Sequence, residues 1–404
     1  MFSVATRPGI WFWFVVLLGA ALRLYLVIFT QGTRDVELWQ EHAGGVRDFG
    51  LIGYYHISKE ANHPPFISYA ESLLLRAAGA VGVPYRIFLR LPFALLDAGT
   101  TALLALALTG NRCRWWLTAL YWLNPLAIIL SAYQGNTDSA IPFFLLLCVW
   151  LLSKGNMMGA AIVLGTSLWI KLPGILALPV LLLLVQNWRK RLLFVAATAV
   201  AAILPYLPAL VADAQIVIAN VFGYHGRQLY TTGQVPVWGT KVLLFSIIPP
   251  EKWPEQLHAP VLFFINHDWQ LALILALLLA WLRRSHRSVP EICATIGMLY
   301  VVIYGFSDSW AFQYFAWSLP FWLFLPPWFF VSATALGTAY IYSLYWLVCG
   351  NAWLLGEWDF AGHPYWPPSL LWVRNVTVLL FFISACVFLI SAIRHKRWSP
   401  LPVP

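Results

Sequence analysis

Charge is scarce in this chain of 404 residues: 10% of it is Asp, Glu, Lys or Arg, where a soluble domain carries roughly 25%. An ordinary water-soluble fold is therefore excluded, and most of the chain has lipid as its solvent. Cysteine is also sparse. The five present, Cys113, Cys148, Cys293, Cys349 and Cys386, are scattered, and no two stand at metal-ligand spacing, which argues against a disulfide framework and a zinc site. No internal repeat is visible, which weakens a transporter built on inverted repeats. There is no low-complexity tract and no appended soluble domain. No small-residue cleavage site follows the first apolar run, residues 10–30, so the run reads as a transmembrane helix and not a signal peptide.

What is present fits a bilayer. Hydrophobic residues make up 61% of the chain, and 23 Trp and 17 Tyr suit the aromatic belts at membrane interfaces. The net charge of +9 does not point to nucleic acid, because the basic residues fall in short clusters between apolar runs and not on one soluble face. The expected fold is an all-α polytopic membrane protein. Apolar runs at 10–30, 88–109, 115–132, 139–152, 157–170, 173–187, 192–212, 269–283, 289–306, 316–328, 330–349 and 370–393 predict about 12 transmembrane helices, within a range of 10–13.

The short loops set the orientation. One side collects Arg7, Arg112, Arg114, Lys154, Arg189, Lys190, Arg191, Arg283, Arg284, Arg287, Arg394, Lys396 and Arg397 against a single acid, Glu291, and is read as cytoplasmic. The loop 31–87 then lies outside. Within it, residues 36–48 and 66–80 have the spacing of interfacial helices. A long loop with helices of its own is more often functional than a mere connection.

That loop holds the first candidates for chemistry. Asp35 and Glu37 follow the first helix, where reduced hydration raises a carboxyl pKa and suits it to general-base work; a solvated loop acid or a helix cap is the alternative. Arg23 lies within the first helix and Asp97 within the second. A lone intramembrane charge is costly, so the two are expected to form a structural ion pair. Asp138 either serves as a second acid or, with Thr137 and Ser139, caps the next helix. Lys171 precedes Leu172-Pro173-Gly174 at a break; it either meets an anion there or snorkels from a helix end.

Several of these segments recur in one order: Arg23, then Asp35-x-Glu37, HPPF at 63–66, LRLPFALLD with Arg90 and Asp97, YQGNTDS at 133–139, and WIKLPGILALP with Lys171. In this order they resemble the GT-C superfamily of integral-membrane glycosyltransferases, in particular the glucosyltransferases that use dolichyl-phosphate glucose. GNTDS is also similar to a stretch of the mannosyltransferase of GPI-anchor assembly. The resemblance covers roughly residues 15–185. It departs from the pattern at His63, where the family motif has Tyr, and in an Asp-x-Glu opening where some relatives have Asp-x-Asp.

The resemblance implies a GT-C-like module over residues 1–187 and a variable transmembrane half over 188–404 that sets donor and acceptor. It implies inverting transfer of a sugar from a polyprenyl-phosphate donor to a glycan, lipid or protein acceptor, with Asp35 as base assisted by Glu37 and Asp138. Lys171, Arg227, Arg90 and His63 would hold the donor phosphate, and Gln134, Asn136, Gln313 and Trp317 would line the sugar and acceptor pocket. No firm cofactor is expected. Asp35 and Glu37 could share a divalent Mg or Mn on a bent or extended backbone, whereas on a helix they diverge. The expected location is a bacterial inner membrane with the site on the periplasmic side, the alternative being the endoplasmic reticulum. Two other functions compete: a transporter or flippase of lipid-linked sugars, and an assembly subunit without activity of its own.

Overall fold

The structure, a computed structural model, describes residues 8–223, 238–247, 252, 254–308 and 310–394. Among them every regular element is helical and no strand occurs. Five of the described helices are long and apolar enough to cross a bilayer: Ile10–Phe29, Tyr85–Ala107, Trp188–Phe222, Val289–Phe306 and Pro368–Ile393. Two bent pairs, Arg114–Trp122 with Pro125–Tyr133 at 48° and Glu255–Phe264 with Asp268–Leu282 at 56°, raise the count to seven. The chain is an integral membrane protein.

The 12 expected spans are not reached, because proline and glycine interrupt the apolar runs. Residues 139–152 fall in a helix of 14 residues, Ala140–Ser153, and 157–170 in one of 11, Met157–Ser167. At about 1.5 Å per residue the shorter one is about 16 Å long, half of a hydrocarbon core of about 30 Å. The run 173–187 opens as a 3₁₀ turn, Leu172–Ala177, with Pro173 in its first turn. The run 316–328 is largely consecutive 3₁₀ turns, Phe312–Trp317 and Leu319–Phe324. Residues 330–349 form a full helix, Pro327–Cys349, but its Ser, Thr and Tyr content leaves it outside the five.

The chain divides into two compact units. The first spans Met1–His225 with Ala352–Trp358. It begins with α1 (Ile10–Phe29), then two helices in the first loop, α2 (Arg34–Ile57) and α3 (Pro65–Val81), then α4 (Tyr85–Ala107). Thr33 caps α2, accepting the Asp35 N–H, and Gly50, at φ 69°, kinks it. Pro65 starts α3 and Gly82, in the left-handed region, ends it. Next come α5 (Arg114–Trp122), α6 (Pro125–Ile128) with a π turn at Ile129–Tyr133, α7 (Ala140–Ser153), α8 (Met157–Ser167), α9 (Leu178–Leu181), α10 (Trp188–Ile203) and α11 (Leu207–Val217). The bend between α5 and α6 falls at Asn124-Pro125, where the Asn124 side chain takes the Leu126 N–H. One core cluster joins Val36, Trp39 and Ala43 of α2 to Ile67 of α3 and to Leu89 and Phe93 of α4.

The second unit spans Gly226–Asn351 with Asp359–Pro404. Its described helices are α12 (Thr240–Ile247), α13 (Glu255–Asn266), α14 (Asp268–Leu282), α15 (Val289–Phe306), α16 (Pro327–Cys349) and α17 (Pro368–Ile393). α15 packs on α14 and α17, and α16 on α17. Aromatic rings fill the space between them. Trp238 stacks on Trp310 at 4.3 Å, and Phe315 on Phe381 at 5.1 Å.

Within the first unit α1 and α4 are joined by charge. Arg23 donates through Nε and Nη2 to Asp97 Oδ2, at 2.9 and 2.5 Å, and both side chains are buried. Tyr121 and Ser131 also donate to the Asp97 carboxylate, at 2.5 and 3.2 Å. Arg23 Nη1 reaches the carbonyls of Gly19 and Trp122, and its guanidinium lies 3.7 Å from the Trp122 ring centroid. Both charges are buried and hydrogen-bonded to each other, so the pair is stable only as a pair. Asp97→Leu alone should cost about 3–5 kcal/mol, because it strands a buried guanidinium, while Arg23→Leu with Asp97→Leu should recover most of that loss. Thermal unfolding of the wild type and the two variants in detergent checks this, and a double variant no better than the single one would refute it.

Candidate functional site

Two loops of the first unit meet at the end of α1. One, residues 30–33, carries the chain into α2; the other, residues 134–139, leads into α7. Arg90 of α4, which is fully buried, sits at their junction. Its Nη2 donates to the carbonyls of Val27 and Thr30 at 2.8 and 2.6 Å, its Nη1 to Thr30 Oγ1 at 2.9 Å, and its Nε to Arg86 O at 3.0 Å. These carbonyls lie at the C-terminal end of α1, where an α-helix lacks internal partners.

Two glycines let the loops approach each other. Gly32 and Gly135 have φ of +88° and +72°. A Cβ on Gly32 would lie 2.9 Å from the Tyr133 carbonyl, and one on Gly135 would lie 2.3 Å from Val36 Cγ2. Thr33 Oγ1 spans the gap, donating to Gln134 O at 2.6 Å.

The approach brings five polar side chains together. Asn136 and Gln134 donate their amides to Asp35 Oδ2, at 2.6 and 3.0 Å. Lys171, in extended backbone at the break after α8, donates to Asp138 Oδ2 at 2.6 Å and to Asn136 Oδ1 at 3.2 Å. Asn136 thus links the two carboxylates, giving its N–H to one and its carbonyl to the ammonium that neutralises the other. Asp138 is buried within the 3₁₀ turn Thr137–Ser139, and the residue preceding α7, Ser139, makes no side-chain cap. Burial raises the Asp35 pKa; the bonds from Asn136 and Gln134 and the charge of Lys171 pull it back only in part.

Beside this cluster His63 lies against Trp39, ring centroids 4.0 Å apart, and 5.7 Å from the His42 ring. Burial holds the His63 pKa well below the usual imidazole value, and His42 and Lys171 push it the same way, so the ring is neutral. Tyr55 donates to the His63 carbonyl at 2.5 Å, and Tyr54 shares a hydrogen bond with His42 Nδ1 at 3.1 Å. Trp39, His42 and Thr33 were not singled out from the sequence. Thr33 alone carries a local signal, as a capping residue ahead of a helix.

Glu37 stands apart from Asp35. α2 already starts at Arg34, so positions two apart point roughly 200° from each other. Glu37 pairs with Arg34 on the exposed face, Arg34 reaches Glu41 at 3.3 Å, and Glu37, Gln40 and Glu41 line a surface hollow of about 360 Å³. Among the described residues no three His, Cys, Asp or Glu converge on one point. Gln313 and Trp317 belong to the second unit, in the turn Phe312–Trp317, where Trp317 stacks on Tyr314 at 4.0 Å. Arg227 lies outside the described residues.

A model of the family described as GPI transamidase subunit PIG-U matches residues 52–235, a little under half of the chain. No curated protein matches it. The matched stretch holds HPPF, LRLPFALLD, YQGNTDS and WIKLPG, most of the motifs behind the glycosyltransferase resemblance. That resemblance is therefore corrected. The motifs lie in the stretch that the GPI transamidase subunit model matches, and both transfer from a polyprenyl-linked sugar and flipping of such a lipid are set aside.

One more acid lies under the cluster. Glu71 of α3 is 1% exposed and accepts from Tyr85 at 2.7 Å, while Tyr85 also faces the Trp39 carbonyl at 3.5 Å. Burial pushes the Glu71 pKa up to about 7 against the pull of the Tyr85 bond. A carboxyl whose folded pKa stands above its unfolded value holds its proton more tightly in the fold. The stability it lends is complete below about 4.5 and is lost as pH rises through about 7. Glu71→Gln should remove that loss, making the variant more stable than the wild type at pH 8 by up to about 3 kcal/mol, with little difference at pH 4. Melting temperatures across that pH range test it; parallel curves for the two proteins would contradict the assignment.

Proposed function

We propose that this chain is an integral-membrane subunit of a GPI-transamidase-type assembly, working in the endoplasmic reticulum membrane beside partner subunits. The observation that carries this reading is the family match over residues 52–235, which takes in His63, Arg90, the turn 134–139 and Lys171. The polar cluster of the first unit then serves recognition of a partner or ligand at the membrane boundary, and not sugar transfer.

Acyl transfer requires an activated nucleophile, commonly a thiol or hydroxyl beside a base. All five cysteines of this chain are unpaired. Cys148 donates to the Ala160 carbonyl at 3.2 Å and Cys349 to the Asn351 carbonyl at 3.3 Å, and among the described residues no cysteine is hydrogen-bonded to a histidine. The reading accordingly assigns the bond-making chemistry to another subunit and a supporting role to this one.

Removing the chain from its host should leave the complete GPI lipid accumulating alongside uncleaved precursor proteins. Tagged protein purified in mild detergent should carry transamidation activity with it. Accumulation of truncated lipid intermediates, or undiminished anchoring in the deletion strain, would overturn the proposal.

A further inference from the structure

The turn from α14 to α15 in the second unit runs Arg283-Arg284-Ser285-His286-Arg287-Ser288, and its one nearby acid is Glu291. Arg283 ends α14 and is 1% exposed. Its Nε donates to Thr295 Oγ1 at 2.8 Å, and Thr295 in turn donates to the Glu291 carbonyl at 2.7 Å, so the guanidinium plane is fixed against α15. The other two nitrogens, Nη1 and Nη2, are buried and make no hydrogen bond among the described residues. A planar cation is thus held in place with the donor end of its fork unused, an arrangement whose cost a ligand would relieve.

The surroundings name the ligand. Glu291 does not fill the role of counter-ion by contact: its Oε2 accepts from Ser288 N and Oγ, at 3.0 and 2.8 Å, closing the capping box of α15. Arg284 and Arg287 are exposed on the same turn, where Arg284 Nη1 donates to Trp281 O at 3.0 Å and Arg287 Nε to Arg284 O at 3.1 Å. Three guanidinium groups within five residues call for an anion, and the fork of Arg283 fits two oxygens of one phosphate. The helices that meet here are a candidate span, Val289–Phe306, and the second arm of a bent one, Glu255–Phe264 with Asp268–Leu282. A basic turn at the end of membrane helices lies at headgroup depth, where the abundant phosphate belongs to lipid.

We propose that the α14–α15 turn binds the headgroup phosphate of an anionic phospholipid, with Arg283 as the specific contact and Arg284 and Arg287 as its outer electrostatic rim. The site is independent of the assembly the chain joins.

The test uses the full chain in nanodiscs of phosphatidylcholine, alone or doped with phosphatidylserine. Thermal stability and the lipid retained in native mass spectrometry are the two measurements. The wild type should gain stability with phosphatidylserine and retain one molecule of it. Arg283→Lys, which keeps the charge and loses the fork, should weaken this at least about tenfold, while R284Q with R287Q should keep most of it. An undiminished response in Arg283→Lys overturns the proposal, and so does an equal loss in the rim variant, which would mean diffuse surface charge. Inorganic phosphate reproducing the full effect in phosphatidylcholine discs would overturn the lipid as its source. Should Arg283→Lys fail to fold, Thr295→Val, which frees Nε without touching the charge, is read in its place, and an unchanged response there overturns the site.

Discussion

The first unit is organised around the end of α1. A helix leaves its last four carbonyls without partners, and inside a membrane protein water is not at hand to take them. Here one buried guanidinium from α4, that of Arg90, takes two carbonyls at this end and the hydroxyl of Thr30. Ending α1, docking α4 and directing the chain into α2 therefore become a single event. The position of Asp35 follows from it, since the loop that Arg90 holds is the one that opens α2, and Thr33 ties the same loop to Gln134. Arg90 is a positioning residue in this arrangement, and its donors are spent on protein.

The polar cluster above that junction is closely balanced. Lys171 offsets Asp138 at 2.6 Å, and Asp35 receives two neutral amides in place of a cation. Burial raises the pKa of this carboxyl, and the two amide bonds and the more distant charge of Lys171 offset that only in part. The neutral His63 and the Trp39 ring close one side.

The membrane class and helical nature of the chain were legible because they rest on hydropathy, a property each residue states alone. The span count was not. An apolar run broken by Asn124-Pro125 or by Leu172-Pro173-Gly174 looks the same whether it makes two spans, one bent span or a partial one; only packing decides. Asp35 and Asn136 are 101 residues apart, and no local spacing joins them. They could be placed together only through the order of motifs along the chain. Glu37 shows the opposite case. Its spacing from Asp35 puts both on one face of a strand, but capping by Thr33 starts the helix at Arg34, ahead of both acids. Function was the least legible of all, since the same ordered motifs fit the glycosyltransferase resemblance and the family model that matches residues 52–235.

The shortness of α8 has a consequence for how it sits in the membrane. At about 16 Å it covers only about half of a bilayer's apolar core, and it exposes Met158 and Ile162. It packs along α10, which belongs to the 35-residue candidate span Trp188–Phe222. The longer helix supplies the apolar length that α8 lacks, so α8 enters the apolar layer as the companion of a neighbour and not as a span of its own.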